Sequence, residues 1–401
     1  MREWVCLFLY SPSLTNGPIN SSEFASQYHG EWFPQLYPGQ KILYDYFRVH
    51  ITHETGVGKI MARKKPVWEP PEAAQKAMAK IDGNEYSGVG ETESRRPKPF
   101  FWHPADEHHW GDMQKYTAEI MFKGDDGPDV MQAFCVDGRP GKYLQRGPEL
   151  NEIAGIKEQK TPEGWSAEVK QFALANGADD VGIAALQPHW VFEGYELELP
   201  WIITIAVAHD YEHLQHAPSL PGEDNRALLE IGKQYTRAAS AASEIRNFIR
   251  RKGYDAKAFE GPRGGALLMI PAAVASGLGE LGKHHSMIHR KFGSNFRLSA
   301  VATDMPLVAD APDDFGADEF CTSCQVCTNE CPPAAITDSK QMVRGVEKWH
   351  VDFEKCMPYF AEARSCGICL AVCPWSRPGI ADRLVMKWAK RRKKRASENK
   401  N

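Results

Sequence analysis

The sequence predicts an α/β (α+β) core followed by a compact cysteine-rich module. Three observations carry that expectation. Short apolar runs rich in β-branched residues have the length of buried strands: Val181–Ala185 (VGIAA), Trp201–Ala208 (WIITIAVA) and Leu298–Thr303 (LSAVAT). They alternate with stretches of helical period, the pattern of a layered helix-and-sheet domain. Beyond them, eight of the ten cysteines crowd into the stretch from Cys321 to Cys373.

The elements follow in order. Ala167–Ala175 keeps a helical period until Asn176-Gly177 ends it. Asp224–Lys252 predicts a long helix. Leu228, Ile231, Tyr235, Ala239, Ala242, Ile245 and Ile249 recur at three or four residues on one stripe, and Gly253 terminates it. Tyr254 opens a short strand carried through Phe259. A helix over roughly Pro271–Ser276 then separates two glycine-rich passages, Gly261–Gly265 and Gly277–Lys283. The second contains Gly277, Gly279 and Gly282 in a GxGxxG spacing, but no strand directly precedes it, so it is weak as a nucleotide fingerprint. Glycine backbone of this kind does let a large planar cofactor approach closely.

Length and composition set the outer bounds. A chain of 401 residues suggests two or three domains, and 42% apolar with 25% charged residues is ordinary for a globular protein. The organisation read here is residues 1–160 of unclear fold, contributing to a substrate pocket, then a core over 161–310, the cysteine module over 311–382 and a tail over 383–401. Residues 1–160 give the least. Segments such as Tyr44–Thr52 and Lys123–Val136 alternate with loops at Trp68–Pro71 and Arg95–Pro99. His103, Asp106, Glu107, His108, His109 and Asp112 are rich in metal-binding groups but lack the HExxH helical spacing, so a polar loop is the better reading. Cys6 and Cys135 read as small buried hydrophobes.

No apolar run approaches the ~18–20 residues of a membrane span. Trp4–Tyr10 lacks the cleavage site of a secretory signal and no twin arginine precedes it. The sequence therefore points to a cytoplasmic protein, whose thiols suit a reducing compartment. The formal charge of −4 is unevenly spread. From Arg383 onward nine lysines and arginines face one glutamate, a surplus of eight positive charges that leaves residues 1–382 at −12. The tail reads first as a solvated, partly helical terminus, and more sharply as a docking site for an anionic partner.

The cysteines carry chemistry. Cys321-x2-Cys324-x2-Cys327-x3-Cys331-Pro332 is followed by Cys356 and then Cys366-x2-Cys369-x3-Cys373-Pro374. Soft thiolates at this density select zinc or iron–sulfur clusters. A zinc ribbon needs two separated CxxC pairs. Three cysteines stepping by three, with a fourth before a proline, instead match the bacterial ferredoxin run, in which the fourth cysteine ligates the other cluster. The expectation is two [4Fe–4S] clusters, one on Cys321, Cys324, Cys327 and Cys373, the other on Cys331, Cys356, Cys366 and Cys369. Two such clusters move single electrons and do not by themselves transform a substrate.

Further motifs occur in a fixed order: Trp190-x-Phe-Glu-Gly194, Ile249-Arg-Arg-Lys-Gly-Tyr254-x-Ala256, Ser276-Gly-Leu-Gly-Glu-Leu-Gly-Lys-His284, Phe292-Gly-x3-Arg297-Leu, Thr303-Asp-Met-Pro-Leu307 and Cys373-Pro-Trp375. Over roughly residues 165–380 the chain resembles the cobalamin-dependent reductive dehalogenase family, a family related to epoxyqueuosine reductase. The resemblance implies a nitroreductase-like cobalamin-binding core with a bacterial-ferredoxin-like 2x[4Fe–4S] module. It further implies a base-off corrinoid, reduced through the clusters to cob(I)alamin, that replaces carbon–halogen by carbon–hydrogen in an organohalide.

By order, Tyr235 matches the family's proton-donating tyrosine. Arg297 is the candidate cation beside it, with Lys291 and Arg290 as alternates. A cation next to a phenol stabilises the phenolate and so eases proton donation. Otherwise Tyr235 would be an ordinary core tyrosine. Corrinoid contacts are expected from Gly277, Leu278, Gly279, His284, Ser286 and Ile288, and the family supplies no axial histidine. The chain lacks the twin-arginine signal of the exported respiratory members. That favours a soluble type fed by an external donor such as ferredoxin, flavodoxin or a reductase, with neither DNA nor a transmembrane segment involved.

Two other functions compete. An epoxyqueuosine reductase-like enzyme would act on tRNA and need a broad basic face, which the −12 body does not provide. Its acid is an aspartate before the Gly-Leu-Gly segment, where this chain offers Glu260 a few residues off register. An electron-transfer or corrinoid-reducing protein would carry the clusters without a substrate pocket.

Overall fold

The structure, a computed structural model, describes residues 66–78, 87–98, 100, 111–123, 148–220, 224–260 and 265–398. The described residues belong to one compact unit, Met61–Asn401. Cys6, Cys135, the run Tyr44–Thr52 and the histidine-rich loop up to His109 lie outside them. Asp112, the described member of that loop's polar cluster, sits in the first turn of a helix, Gly111–Lys123.

A four-stranded sheet forms the centre, ordered β1-β2-β6-β3, from β1 (Asp180–Ala185), β2 (Trp201–Ala208), β3 (Ala256–Phe259) and β6 (Phe296–Thr303). Two two-residue strands, β4 (Glu280–Leu281) and β5 (Met287–Ile288), pair beside it. Every pairing in the sheet is antiparallel, with Ile183 opposite Ile203, Ile203 opposite Val301 and Ala258 opposite Val301. Of the two readings of the core, α+β is therefore the one realised. β1 reaches β2 through a 3-10 turn at Pro188–Trp190, and β3 and β6, with the helix Met269–Ala275 between them in the chain, also pair antiparallel.

Helices cover both faces. We number them α1 (Glu72–Met78), α2 (Gly111–Lys123), α3 (Pro162–Ala175), α4 (Arg226–Arg251) and α5 (Met269–Ala275) through the core. The cysteine module adds α6 (Ala317–Ser323), α7 (Val326–Glu330), α8 (Phe353–Glu362), α9 (Ile368–Ala371) and α10 (Ile380–Glu398). Thr161 caps α3 by accepting from Gly164 N, and Pro162 takes the first helical position, where its missing N–H costs nothing.

Trp165 and Val169 of α3 and Ala241, Ala242, Ile245 and Ile249 of α4 pack on Ile183, Ile203, Ile205 and Val301. On the opposite face Ile202, Ala300 and Ala302 meet Ala272 and Leu267. Alternate residues of β2 thus enter different cores, which is why Trp201–Ala208 is apolar throughout rather than every second residue. Each fully buried isoleucine here contributes roughly 1.5–3 kcal/mol by leaving water.

The described parts of residues 1–160 buttress the cysteine module. Ala74, Ala77, Phe100, Met113 and Tyr116 cluster with Met357 of α8, and Tyr116 Oη donates to Glu362 Oε1 at 2.9 Å. Val89 bridges to Val343, and Trp68 N donates to the Pro332 carbonyl at 3.0 Å.

Candidate active site

The stripe of α4 and the end of β6 meet at the edge of the sheet. Ile231 and Tyr235 lie on successive turns of the helix, while Arg297 stands opposite Val207 where β6 begins. Sixty-two residues apart in sequence, Tyr235 and Arg297 touch: Arg297 Nη1 donates to the Tyr235 hydroxyl at 3.0 Å, and the guanidinium lies 4.2 Å from the ring centroid. Stacking and the hydrogen bond together fix the phenol's orientation. Arg290 is instead tied to Asp313, with Nε donating to Oδ2 at 2.7 Å, and Lys291 is exposed. Neither borders the cavity into which Tyr235 opens.

That cavity offers about 1330 Å³ of space between atoms, counted out to open solvent. Cys331, Cys356, Cys366 and Cys369 line it together with Tyr235, Arg297, His284, His285 and Ser286. A second cavity of about 260 Å³, counted the same way, is walled by Cys321, Cys324, Cys327 and Cys373 with Lys283, Phe320 and Trp375. The eight thiols thus separate into two groups of four. Among the described residues no three His, Cys, Asp or Glu side chains converge closely enough to hold a lone metal ion. A single zinc needs four sulfurs at ~2.3 Å from one point. Thiols spread around the wall of a cavity suit a larger inorganic core.

Backbone geometry fits the same purpose. Ala335 N donates to Cys331 Sγ at 3.3 Å and Lys283 N to Cys321 Sγ at 3.5 Å. Arg364, Ser365, Cys366 and Gly367 all have positive φ, at 44°, 81°, 30° and 78°. Consecutive left-handed residues are costly and persist where surroundings enforce them. Burial pushes the thiols up, Cys356, Cys366 and Cys373 each to about 12. Such thiols lose their protons only when a metal displaces them, so iron loading is a proton-releasing step.

His284 is fixed by its own chain. Its Nδ1 accepts from Ser286 N at 3.2 Å and its Nε2 lies 2.7 Å from Ser294 Oγ, while burial pushes it down to about 4. A neutral ring with both nitrogens occupied is a wall element rather than a ligand. Behind Arg297, His209 is buried and pushed down to about 4 by that burial, and its Nδ1 stands 3.8 Å from Glu230 Oε1. Sequence reasoning missed both His209 and Glu230. They lie at the end of β2 and the start of α4 with no motif to mark them.

The glycine-rich passage packs closely on the protein itself. Gly277, Leu278, Gly279 and Ile288 do not line the cavity; of the six expected contacts, His284 and Ser286 do. Gly279 has φ +148° and a Cβ there would collide with the Ile288 carbonyl; one at Gly277 would sit 2.6 Å from the Ala311 carbonyl. Leu278 is buried with Ala206, Ala273 and Met287, and Ile288 packs with Phe315 and Trp375. The close approach that these glycines permit is to the protein's own backbone.

Comparison with known proteins accords with this arrangement. Residues 320–376 match the family described as 4Fe-4S dicluster domain. The structure superposes on the catabolic reductive dehalogenase NpRdhA in complex with 3-bromo-4-hydroxybenzoic acid, with TM-score 0.60 and 23% identity, over 78% of this chain and 46% of that one. The fold is that of the reductive dehalogenases. In sequence the chain is 33% identical over 263 residues to the tetrachloroethene reductive dehalogenase of Desulfitobacterium hafniense, covering 58% of this chain and 46% of the relative. It is 30% identical over 259 residues to that of Sulfurospirillum multivorans, covering 53% and 50%. An epoxyqueuosine reductase from Vibrio cholerae is 25% identical over 269 residues, 52% of this chain and 66% of that protein. The chain spans about half the length of the reductive dehalogenases it matches. Among the described residues no helix is long and apolar enough to cross a membrane.

Proposed function

We propose that this chain reductively dehalogenates an organohalide, using a corrinoid fed by two [4Fe–4S] clusters. The observation that carries this reading is the opening of Tyr235, held by Arg297, into the same cavity as four cysteine thiols. In this reading Cys321, Cys324, Cys327 and Cys373 hold one cluster, and Cys331, Cys356, Cys366 and Cys369 hold the other. The N–H donors to sulfur and the burial of both sets tune the potentials.

The residues also fit a corrinoid. The larger cavity places four thiols beside Tyr235 and Arg297, and Arg297 Nε is buried without a partner, a donor left for whatever occupies the space. Bound there, a corrinoid supplies a low-potential cobalt centre that delivers electrons to a carbon–halogen bond. The overall change takes two electrons and one proton into the substrate and releases halide. The Tyr235 hydroxyl supplies the proton to the carbon that loses halogen. Arg297 orients that hydroxyl and stabilises the phenolate left behind, which solvent then reprotonates. His284 keeps the wall rigid and neutral.

Electrons come one at a time from an external carrier, such as a ferredoxin, flavodoxin or reductase. Exposure of cluster ligands to oxidant is avoided in a reducing compartment, which supports a cytoplasmic location. Glu260 weakens the tRNA-modifying alternative: its Oε1 is engaged by Ser243 Oγ and lies 3.6 Å from Arg246 Nη1, and it is absent from the cavity wall. The test is anaerobic reconstitution with iron, sulfide and cobalamin, then a screen of halogenated phenols, benzoates and alkanes with a strong reductant. Retained corrinoid and released halide are the expected results. Protein replete in iron that retains no corrinoid defeats the reading and leaves an electron relay.

A further inference from the structure

The two thiol sets line different cavities. Cys331, Cys356, Cys366 and Cys369 face Tyr235, whereas Cys321, Cys324, Cys327 and Cys373 sit away from it in the smaller, aromatic-walled cavity. On the cluster assignment above, a relay toward Tyr235's cavity runs from the second set to the first. At the C-terminal end of α6, Cys324 of this second set is only partly buried and Thr322 and Ser323 are exposed.

The basic tail lies on this same helix. It is ordered as α10, and Trp388 anchors it, packing edge-on against Phe320 with ring centroids 6.2 Å apart and closing on Gly316. Arg392 Nη2 donates to Asp314 Oδ1 at 2.8 Å and its Nε to Glu319 Oε2 at 3.2 Å; Arg395 also pairs with Glu319. Two cations are thereby spent on fixing the helix to α6. Arg383, Lys387, Lys390, Lys393 and Lys394 remain exposed, with Met386 65% exposed among them. A positive face with an apolar spot at its centre is thus bolted to α6, the helix that carries Cys321 and ends at Cys324, on a chain whose remainder carries −12.

We propose that the exposed face of α10 is the docking surface for an acidic one-electron carrier protein, which there passes its electron to the cluster held by Cys321, Cys324, Cys327 and Cys373. This deepens the functional reading above and rests on its cluster assignment. The step transfers one electron: the carrier is oxidised by one equivalent, the cluster is reduced by one, and no bond is made or broken. Attraction between a basic patch and an acidic partner raises the encounter rate and is screened by salt, with a Debye length of about 10 Å at 0.1 M. A membrane-anchored acidic lipid face or an RNA would meet the same charges, but neither explains why the charges are anchored to α6.

The experiment mixes anaerobic, cluster-loaded full-length protein with reduced flavodoxin, an acidic carrier, in a stopped-flow instrument over a range of ionic strengths. The K387E/K390E/K393E variant is compared with the parent. At low salt the second-order rate of cluster reduction should fall at least tenfold in the variant and the two should converge at high salt. Reduction by a photogenerated deazaflavin radical, too small to need docking, should be unchanged. In separate samples, electron paramagnetic resonance of both proteins after one-electron reduction of the clusters with dithionite or Ti(III) citrate verifies the assignment independently of any carrier. Absence of cluster signals from the parent defeats the cluster reading itself, and the docking proposal with it. Equal rates and equal salt dependence with flavodoxin, clusters being present, overturn the docking proposal alone. So does a variant that loses affinity for a tRNA stem-loop or for anionic vesicles while flavodoxin still reduces it at the parent's rate.

Discussion

The two halves of the cysteine module use nearly the same short spacing for opposite ends. Cys321 and Cys324 close the end of α6 and Cys327 opens α7, while Cys366 and Cys369 flank the start of α9. One group is closed in by Phe320 and Trp375 with the buried Lys283 beside it, and has about 260 Å³ around it. The other looks into about 1330 Å³ shared with Tyr235 and Arg297. Spacing alone sets which thiols meet; what surrounds them separates a relay from a working site. A cluster among rings and one fixed cation has only neighbours that tune its potential. A cluster on the wall of the larger cavity shares that space with Tyr235 and Arg297.

That contrast can be broken at several points, beginning with the largest effect. Tyr235→Phe removes the proton and almost no volume. Turnover should fall by about 10²–10⁴, the worth of a positioned acid, with iron and corrinoid content unchanged. Undiminished halide release would move the acid elsewhere. Arg297→Met should cost less, about 10–100-fold, as a charge-assisted hydrogen bond is worth roughly 1.5–3 kcal/mol. Kinetics of the double variant with Tyr235→Phe should show the two losses failing to add, since both act on one proton; strict additivity would argue against a joint role.

Lys283→Met probes the other cavity. The Lys283 ammonium sits 4.9 Å from the Trp349 ring centroid and borders the thiols of the smaller cavity. Loss of that buried positive charge should lower the midpoint potential of the cluster there alone in a spectroscopic redox titration. Equal shifts in both clusters would contradict the separation described here.

The smallest effect concerns the wall behind Arg297. His209 titrates at about 4 when folded because burial disfavours its charged form, against about 6.5 when unfolded. Between those values the unfolded chain binds the extra proton, so stability is lost as pH falls from about 6.5 to about 4 and is fully present above. Denaturant titrations at pH 7 and pH 5 should show a shallower pH dependence for His209→Asn than for the parent. Parallel behaviour of the two would assign the acid sensitivity to other groups.

Much of this is legible in the amino-acid order. The long helix reads as Asp224–Lys252 and is found at Arg226–Arg251, because an apolar stripe of seven residues leaves little freedom over which face is buried. The strand at Trp201–Ala208 is found with those same bounds. What approaches the glycine-rich passage is not legible in the sequence, for a definite reason. A glycine at Gly279 looks alike in sequence whether a cofactor or the Ile288 carbonyl approaches it, and only the partner, nine residues away, tells them apart. His209 and Glu230 were invisible because burial next to Arg297 is a property of the assembled sheet and leaves no local pattern.

The amino-acid order alone dictated the thiol chemistry, since a covalent spacing of three residues holds whatever the chain does elsewhere. It also marked Tyr235 as inward-facing, since helical period is a local property. Which cation meets that phenol, which four thiols face it, and where the basic terminus comes to rest were decided by tertiary structure. Arg290, Lys291 and Arg297 are interchangeable on paper; only the register of β6 against β2 and the packing of α4 across them bring Arg297 to the hydroxyl and leave the other two outside.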